Sequence, residues 1–230
     1  MARGSLRRRG GGRRLAAAAI LSPLFVLVAA LGTRTGLWGY AVGHDLLAMR
    51  LGLALAAIGA VAALALLVSA LRRRASPWLA GLAVVVSAAT VGGYAWQMSR
   101  LADGPPDDIS TDLAEVPGFG ALDARRGGQG PALTGGIEAC PGALPALTQV
   151  PPGAAAWALQ ESGFALDGGV TVARAAGTHR GFWFGVTHDA VVRIRPGRTD
   201  VRVAARDGRA HGGEACRLAT QISERLRVVE

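Results

Sequence analysis

The sequence predicts an α+β protein, with three N-terminal transmembrane helices followed by a small two-layer domain of a four-stranded antiparallel sheet and two helices. Two observations lead to this prediction. Half of the 230 residues are hydrophobic and the mean hydropathy is +0.31, with three long apolar runs in the first hundred residues. Later in the chain, short runs alternate apolar and polar residues, which is typical of antiparallel strands.

The three apolar runs occupy residues 15–32, 51–71 and 77–98. Each is about as long as the roughly 20 residues that a helix needs to cross the hydrocarbon core of a bilayer. None carries charged side chains along one face, as a core helix of a soluble protein would. We therefore expect three helices in a membrane domain of residues 1–100. A cleavable signal peptide is the alternative for the first run, because arginines precede it and small residues lie near Gly32.

The basic charge is concentrated in this first part of the chain. The net charge of +9 divides into +11 for residues 1–100 and −2 for residues 101–230. Six arginines precede the first run and residues 72–74 are all arginine, whereas the loop of residues 33–50 contains two. The positive-inside rule then places the N-terminus and the 72–74 loop in the cytoplasm, and the chain after the third run on the other side.

These observations predict where the protein lies and what it contacts. The high Ala, Gly and Arg content is typical of a high-GC bacterial gene. We expect a bacterial inner-membrane protein with a cytoplasmic N-terminus and a periplasmic C-terminal domain, in contact with the lipid bilayer. Nucleic acid is not expected as a partner, because the excess of basic charge does not lie on the folded domain.

The soluble part is expected to begin with an extended arm. Residues 101–152 hold most of the eleven prolines and show little periodicity, which predicts an irregular segment. Residues 153–230 are expected to form the α+β domain. Its first helix starts at Pro151-Pro152 and its last follows Gly212-Gly213. The residues expected to be buried at helical spacing are Ala155, Trp157 and Leu159 in the first helix and Ala215, Leu218, Ile222 and Leu226 in the last.

Four strands are predicted between these two helices. They are GVTVARAA (169–176), FWFGVT (182–187), AVVRIRP (190–196) and VRVAAR (201–206), and THRG (178–181) is expected to be a turn. In the last two strands apolar side chains alternate with arginines. We therefore expect one sheet face to be apolar and covered by both helices, and the other face to be in contact with water.

Three stretches of the soluble part carry a resemblance to a known family: PPDDISTDLAEVPGF, WFGVTHDAVVRIRP and DVRVAARDGRAHGGEACRL. They lie between residues 105 and 218 and resemble the domain of unknown function 1499 family, with DISTD (108–112) the most specific match. The family is often found behind membrane segments in bacteria and has no assigned activity, so the resemblance implies an architecture and no chemistry.

The chain departs from that family pattern at several positions. Ala205, His211 and Glu214 stand where the family tends to have serine, aspartate and asparagine, and the pattern does not require Cys140 or Cys216. If the family has a polar site here, the resemblance implies that this chain carries an altered version of it.

The two cysteines, Cys140 in the arm and Cys216 in the last predicted helix, are expected to form a disulfide in an oxidising periplasm. This bond would attach the irregular arm to the folded domain. Two buried free thiols are an alternative, because pairing requires that the cysteines meet in space. A reactive nucleophilic cysteine is another, although no local Cys-His motif indicates one.

Asp108, Ser110 and Asp112 share one side of an extended chain because alternate residues point the same way. They could supply oxygen ligands to a cation such as Ca²⁺, but the string lacks the glycine and terminal glutamate of an EF-hand loop. We favour a structural latch, in which the two aspartates accept forked hydrogen bonds from arginines of the domain. The candidate donors are Arg193, Arg195, Arg202, Arg206 and Arg209.

A second polar group precedes and begins the last predicted helix: Arg206, Arg209, His211 and Glu214. Guanidinium groups, an imidazole and the backbone N–H groups at a helix start could bind a phosphate, a carboxylate or an anionic lipid head group. His179, His188 and His211 could in principle bind a metal, but their spacing does not require one, and we expect neither a metal nor a cofactor.

The favoured function is a binding or envelope-structural domain that recognises an anionic ligand or an envelope protein. The alternative is a hydrolase-like envelope enzyme with a polar site at residues 206–214. No catalytic residue is assigned, because the sequence shows no Ser-His-Asp order, glycine-rich phosphate loop or paired catalytic carboxylates.

Overall fold

The computed structural model describes residues 3–126 and 133–228 and divides them into two compact units. One unit contains the described residues up to Met98 together with Trp183–Gly185. The other contains Ser99–Phe182 and the described residues from Val186 onwards. The second unit therefore includes the last turn of the third long helix as well as the sheet.

The first unit is helical. It contains α1 (Arg3–Thr35), a π-helical segment (Ala41–Gly52) that runs directly into α2 (Leu53–Leu71), and most of α3 (Pro77–Asp103). Three stretches, Arg14–Thr35, Ala41–Leu71 and Pro77–Asp103, are long and apolar enough to cross a membrane. This confirms the prediction of three apolar helices. Much of the segment predicted as the first loop is helical, since residues 41–50 extend the second helix.

Small side chains pack the helices of the first unit together. Ala19, Ala63, Ala80 and Ala83 are buried with Leu66 in one cluster. The small alanine side chain lets helix backbones approach closely and make dispersion contacts. Such contacts matter most in lipid, where the hydrophobic effect contributes little to helix association.

The second unit contains one antiparallel sheet, in the order β1-β5-β4-β3-β2. Its strands are β1 (Asp108–Ser110), β2 (Ala165–Val170), β3 (Arg174–Arg180), β4 (Thr187–Arg195) and β5 (Arg198–Ala205). The prediction of an antiparallel sheet is confirmed, but the count of four strands is wrong. The arm supplies the additional edge strand β1, and isolated bridges at Gly135 and Ala146 continue the pairing.

The predicted positions of the first two strands are also wrong. Residues 182–186 connect β3 to β4, the predicted turn at residues 178–181 lies mostly in β3, and the segment 169–176 contains the turn between β2 and β3. The full register from Arg174–Arg193 to Arg180–Thr187 explains the difference. RAAGTHR becomes a central strand through its pairing with neighbours on both sides, which outweighs the higher β-propensity of the aromatic run FWF.

Helices α4 (Pro152–Glu161) and α5 (Glu214–Val228) cover one face of the sheet. Their predicted positions are confirmed. The fully buried helix residues include Ala155, Leu159, Ala215, Leu218, Ile222 and Leu226, and they pack against Val192, Val201 and Val203 of the sheet. The expected burial of Trp157 is wrong, because its side chain is 43% exposed.

We predicted that the opposite face of the sheet would be in contact with water, and this prediction is wrong. Residues 111–126 of the arm, which include a 3₁₀ helix at Gly120–Arg125, lie over it. Phe119 and Leu122 from this segment form a second small core with Ala176, Val191 and Ala204. The unit therefore has three layers, namely helices, sheet and arm, in place of the predicted two.

The Cys140–Cys216 disulfide, predicted from the sequence, joins the arm to α5 with a Cα–Cα distance of 5.6 Å. The bond closes a loop with a sequence separation of 76 residues. In the loop-entropy model, closing a loop of this length lowers the conformational entropy of the unfolded chain. The fold is thereby stabilised by about 4–5 kcal/mol. The irregular arm is thus attached to the helical layer by a covalent bond.

Candidate functional site

Three fully buried carboxylates lie on the sheet face beneath the arm: Asp108, Asp189 and Asp200. The register places Asp108 opposite Ala204 on one side and Asp189 opposite the same residue on the other. A buried carboxylate costs several kcal/mol unless a cation and further hydrogen bonds compensate its charge. Each of these three side chains is therefore expected to be surrounded by donors.

Asp108 is held by a forked pair with Arg202. The guanidinium donates from Nε to Oδ1 at 2.9 Å and from Nη2 to Oδ2 at 2.6 Å. Its remaining nitrogen, Nη1, donates to the carbonyl of Pro117 at 2.9 Å, and the Thr134 hydroxyl donates to Asp108 Oδ2 at 3.0 Å. Arg202 therefore binds the arm at two points, the Asp108 side chain and the Pro117 carbonyl.

Asp189 receives two guanidinium groups. Arg206 donates from Nε to Oδ2 at 3.1 Å and from Nη2 to Oδ1 at 2.6 Å. Arg126, at the end of the 3₁₀ helix, donates to Oδ2 at 3.0 Å and to the Ala205 carbonyl at 3.0 Å. Thr178 adds a hydroxyl donor at 3.1 Å. The carboxylate is thus fully satisfied within the chain.

Phe119 connects these two ion pairs. Its buried ring has the Arg126 guanidinium carbon 4.2 Å from its centroid and that of Arg202 at 4.5 Å. A ring face attracts a cation, and such contacts reach about 2 kcal/mol when desolvated. The arm is therefore bound to the sheet by stacking as well as by charge.

Asp112 and Asp200 share two arginines. Arg195 Nη2 donates to Asp112 Oδ2 at 2.7 Å and to Asp200 Oδ2 at 2.6 Å. Arg193 Nη2 contacts the same two oxygens at 2.9 Å and 3.3 Å. Arg198 completes the group by donating from Nε to Asp200 Oδ1 at 2.7 Å.

The backbone of the arm also stabilises the Asp112 carboxylate. The N–H groups of Glu115 and Ala114 each donate to Oδ1 at 3.0 Å. The Glu115 N–H, together with Arg195, outweighs the effect of burial and lowers the pKa of Asp112 below its ordinary value. Asp112 is therefore ionised under physiological conditions, as its pairing with arginine requires.

The arginine partners of the proposed latch can now be assigned by contact. Asp108 binds Arg202, and Asp112 binds Arg193 and Arg195. Ser110 lies opposite Arg202 in the pairing of β1 with β5, and its hydroxyl donates to the Asp112 carbonyl at 2.8 Å and so shapes the arm. These are the contacts that we expect of a latch between the arm and the sheet.

The four residues predicted to bind an anion make contacts within the chain. Arg206 binds Asp189, and Glu214 accepts two hydrogen bonds from Arg217 at 2.9 Å and 2.6 Å. His211 Nε2 lies 2.9 Å from Asp207 Oδ1, and the backbone N–H of Arg209 donates to the same oxygen at 3.1 Å. The anion-binding role of these four side chains stays a prediction, and it would require an anion to compete with these internal contacts.

The backbone N–H groups before and at the start of α5 do bind an anion, but it is the carboxylate of Asp107. The His211 N–H donates to Asp107 Oδ2, and the Ala215 N–H donates to Oδ1 at 3.2 Å. Sequence reasoning missed this residue. The available signal was Gly212-Gly213 before the helix. Glycine has no side chain that could accept hydrogen bonds from the first N–H groups of the helix, so another residue must supply the acceptor.

His188 lies beside this cap. It is buried, its Nε2 is 3.8 Å from Asp107 Oδ1, and neither ring nitrogen has a hydrogen-bond partner among the described residues. Burial alone would raise the pKa of Asp107, but His188 and the backbone N–H groups of His211 and Ala215 favour the carboxylate, and the pKa lies below its ordinary value.

The metal alternatives find no support in the contacts. Within residues 3–126 and 133–228, no three His, Cys, Asp or Glu side chains are grouped so that they could hold a metal ion. Asp108 and Asp112, the carboxylates of the possible Ca²⁺ site, bind arginines. His179 donates from Nδ1 to the Gly163 carbonyl at 2.8 Å.

Comparison of the chain with protein-family models, curated proteins and solved structures found no match. The resemblance to the domain of unknown function 1499 family stays a prediction. The functional proposal therefore depends on the contacts described above.

The Asp108–Arg202 pair should contribute strongly to the free energy of unfolding. Asp108→Asn keeps the side-chain shape but leaves Arg202 without its counter-charge, and we expect a loss of about 3–5 kcal/mol. Asp167→Asn is the matched control, because Asp167 pairs with Arg125 at the surface and surface pairs contribute about 1 kcal/mol or less. Urea denaturation of the full chain in detergent measures both. Equal losses in the two variants would refute the latch.

The cap formed by Asp107 should make stability depend on pH. Its lowered pKa means that the carboxylate stabilises the fold above the ordinary pKa near 4, and that this contribution is lost as the pH falls through the folded-state value. Asp107→Asn should therefore unfold at a lower temperature than the native chain at pH 7, and the difference should shrink below about pH 4. Thermal unfolding between pH 3 and 7 measures this. A difference that does not vary with pH would contradict it.

Proposed function

We propose that the chain is a bacterial inner-membrane protein whose C-terminal domain lies in the periplasm and acts as a binding or envelope-structural domain. Two features support this location. The arginines are concentrated before the first and after the second apolar helix, so an odd number of crossings brings the C-terminal domain to the other side of the membrane. The Cys140–Cys216 disulfide fits an oxidising compartment.

One observation supports the structural role most directly. All five arginines from Arg193 to Arg206 are hydrogen-bonded to acidic side chains of the same chain. A guanidinium that recognises an external anion needs donors directed towards that anion. Arg193, Arg195, Arg198 and Arg202 instead hold the arm on the sheet, and Arg206 pairs with Asp189 within the sheet. The result is a rigid domain, and we expect it to recognise an anionic ligand or an envelope protein through other parts of its surface.

A hydrolase-like enzyme with a polar site at residues 206–214 is the alternative. Such a site needs a nucleophile or an activated water within hydrogen-bond reach of a base. His211 and Glu214, the two candidates for acid–base work, make their observed contacts with Asp207 and Arg217. These contacts explain both side chains by local pairing, so the structural role is the better supported.

The proposed location predicts the activity of reporter fusions. Alkaline phosphatase fused after Glu230 should be active, because it folds only outside the cytoplasm, and a fluorescent protein fused there should be dark. Fusions after Ala75, in the loop that follows the second apolar helix, should show the reverse pattern. An inactive phosphatase after Glu230 would place the domain in the cytoplasm and refute the proposed location.

The proposed role predicts which variants restore function to cells that lack the gene. If the domain supports the envelope by its rigidity, Asp108→Asn should fail to restore detergent resistance, because the domain is destabilised. Glu214→Gln should restore it, since it removes a partly exposed pair with Arg217 of small energetic value. Detergent sensitivity of complemented cells is the measurement. Failure of Glu214→Gln, with normal protein levels, would instead favour the enzyme.

A further inference from the structure

His188 is buried without the hydrogen bonds that a buried imidazole normally makes. Its side chain is 1% exposed, and neither ring nitrogen has a hydrogen-bond partner within the part of the chain that the structure describes. Native proteins rarely leave a buried polar group unpaired, because doing so costs free energy. Histidine is also the side chain whose charge ordinarily changes between pH 5 and 8. The surroundings of this ring therefore decide whether the domain responds to pH.

The register of the sheet places His188 on the face that the helices cover, near the start of β4. Successive residues of a strand point to opposite faces, and Ala190 and Val192 of the same strand lie in the core beneath the helices. His179 is directly opposite on β3, and Ala205 is directly opposite on β5. Side chains at such opposite positions are close neighbours on one face. Within the sheet, the ring is thus flanked by a second histidine and by an alanine.

The segment before β1 and the loop before α5 bring further charged groups to this ring. Asp107 Oδ1 lies 3.8 Å from His188 Nε2, which is beyond hydrogen-bond distance but close enough for strong attraction between opposite charges. The His211 ring lies 5.8 Å from the His188 ring between centroids, and His211 Nε2 contacts Asp207. Asp107 is therefore the acidic partner within reach of His188 by a small movement.

Helix α5 adds a second carboxylate, Glu214. The hydrogen bond from Arg217 lowers the pKa of Glu214 against the effect of burial, and the charges of His188 and His179 lower it further. Glu214 is therefore ionised near neutral pH and, like Asp107, favours a positive charge on His188.

The loop that Asp107 caps also contacts the end of α3. The Gly212 carbonyl accepts a hydrogen bond from Arg100, in the last turn of α3, which belongs to the same unit as the sheet. Gly213 packs against Pro105 so closely that a Cβ atom there would lie 2.9 Å from the proline ring. A change in how firmly Asp107 is held is therefore felt by the residues that lead from α3 into the sheet.

We propose that His188 and Asp107 form a pH-responsive clasp, in which the protonated His188 ring binds the Asp107 carboxylate and the neutral ring does not. Closing the clasp fixes the carboxylate that caps α5, and opening it leaves Asp107 with its backbone donors alone. This proposal goes beyond the proposed function. It concerns the domain itself and does not depend on the location or the role proposed above.

The clasp should stabilise the domain only within a limited range of pH. Asp107 must be ionised, and its lowered pKa keeps it ionised down to about pH 4. His188 must be protonated as well. The stabilisation is therefore present in mild acid and is lost as the pH rises through the value at which His188 releases its proton.

The test is a double-mutant cycle on the full chain in detergent, with its disulfide intact, measured at pH 5 and at pH 8. Asp107→Asn, His188→Gln and their combination keep the approximate shapes of the side chains but remove the charges. The coupling is the factor by which the combined change in the unfolding equilibrium constant departs from the product of the single changes. We expect this factor to be at least about tenfold larger at pH 5, because opposite charges face each other only there.

His179→Gln provides the matched control for this cycle. His179 lies opposite His188 and donates to the Gly163 carbonyl, so its coupling with Asp107 should change by less than about twofold between the two pH values. A coupling of His188 with Asp107 that is the same at pH 5 and pH 8 would overturn the clasp. An equal change in the control cycle would also overturn it, because the effect would then be general to the charges of the domain.

Nitrogen NMR of the histidine rings gives a second readout that requires no unfolding. In the native chain, the His188 ring signals should change from the neutral to the protonated form between pH 8 and pH 5. In Asp107→Asn this change should occur at a pH lower by about one unit or more, because the carboxylate that favours the charged ring is gone. A His188 ring that stays neutral at pH 5, or that responds to pH identically in the two proteins, would contradict the proposal.

Discussion

The pairing of buried carboxylates with arginines determines how the arm lies on the domain. Asp108, Asp189 and Asp200 are completely buried, and each would destabilise the fold if its guanidinium partner were absent. The observed placement of the arm brings Asp108 to Arg202 and Asp112 to Arg193 and Arg195. The irregular, proline-rich segment therefore takes a defined path because of charge compensation, with little contribution from regular secondary structure.

Two adjacent aspartates in the arm act on opposite layers of the domain. Neighbouring residues of an extended chain point to opposite sides, so Asp108 contacts the arm side of the sheet while Asp107 reaches the start of α5. The Cys140–Cys216 disulfide adds a covalent link between the arm and the same helix. The arm is consequently attached to the sheet on one face and to helix α5 on the other, so it links the layers of the domain.

The sequence predicted those elements whose signal is local. Long apolar runs identified the three helices of the first unit, and helical spacing identified α4 and α5 with the buried Leu159, Leu218 and Ile222. Strand β1 and the position of β3 could not be predicted, because their stability comes from pairing with distant strands. For the charged residues, the sequence narrowed the partners of Asp108 and Asp112 to a few arginines. It did not identify the partners of Arg206 and Glu214, because only the register and the local helix geometry show that Asp189 and Arg217 pair with them.

The most direct test of this account is a double-mutant cycle on Asp108 and Arg202, measured as the free energy of unfolding of the full chain in detergent. The two side chains form a forked, buried pair, so Asp108→Asn, Arg202→Met and their combination should show a coupling energy of about 2 kcal/mol or more. Additive effects within about 0.5 kcal/mol would show that the two residues act independently and would contradict the central role of the pair.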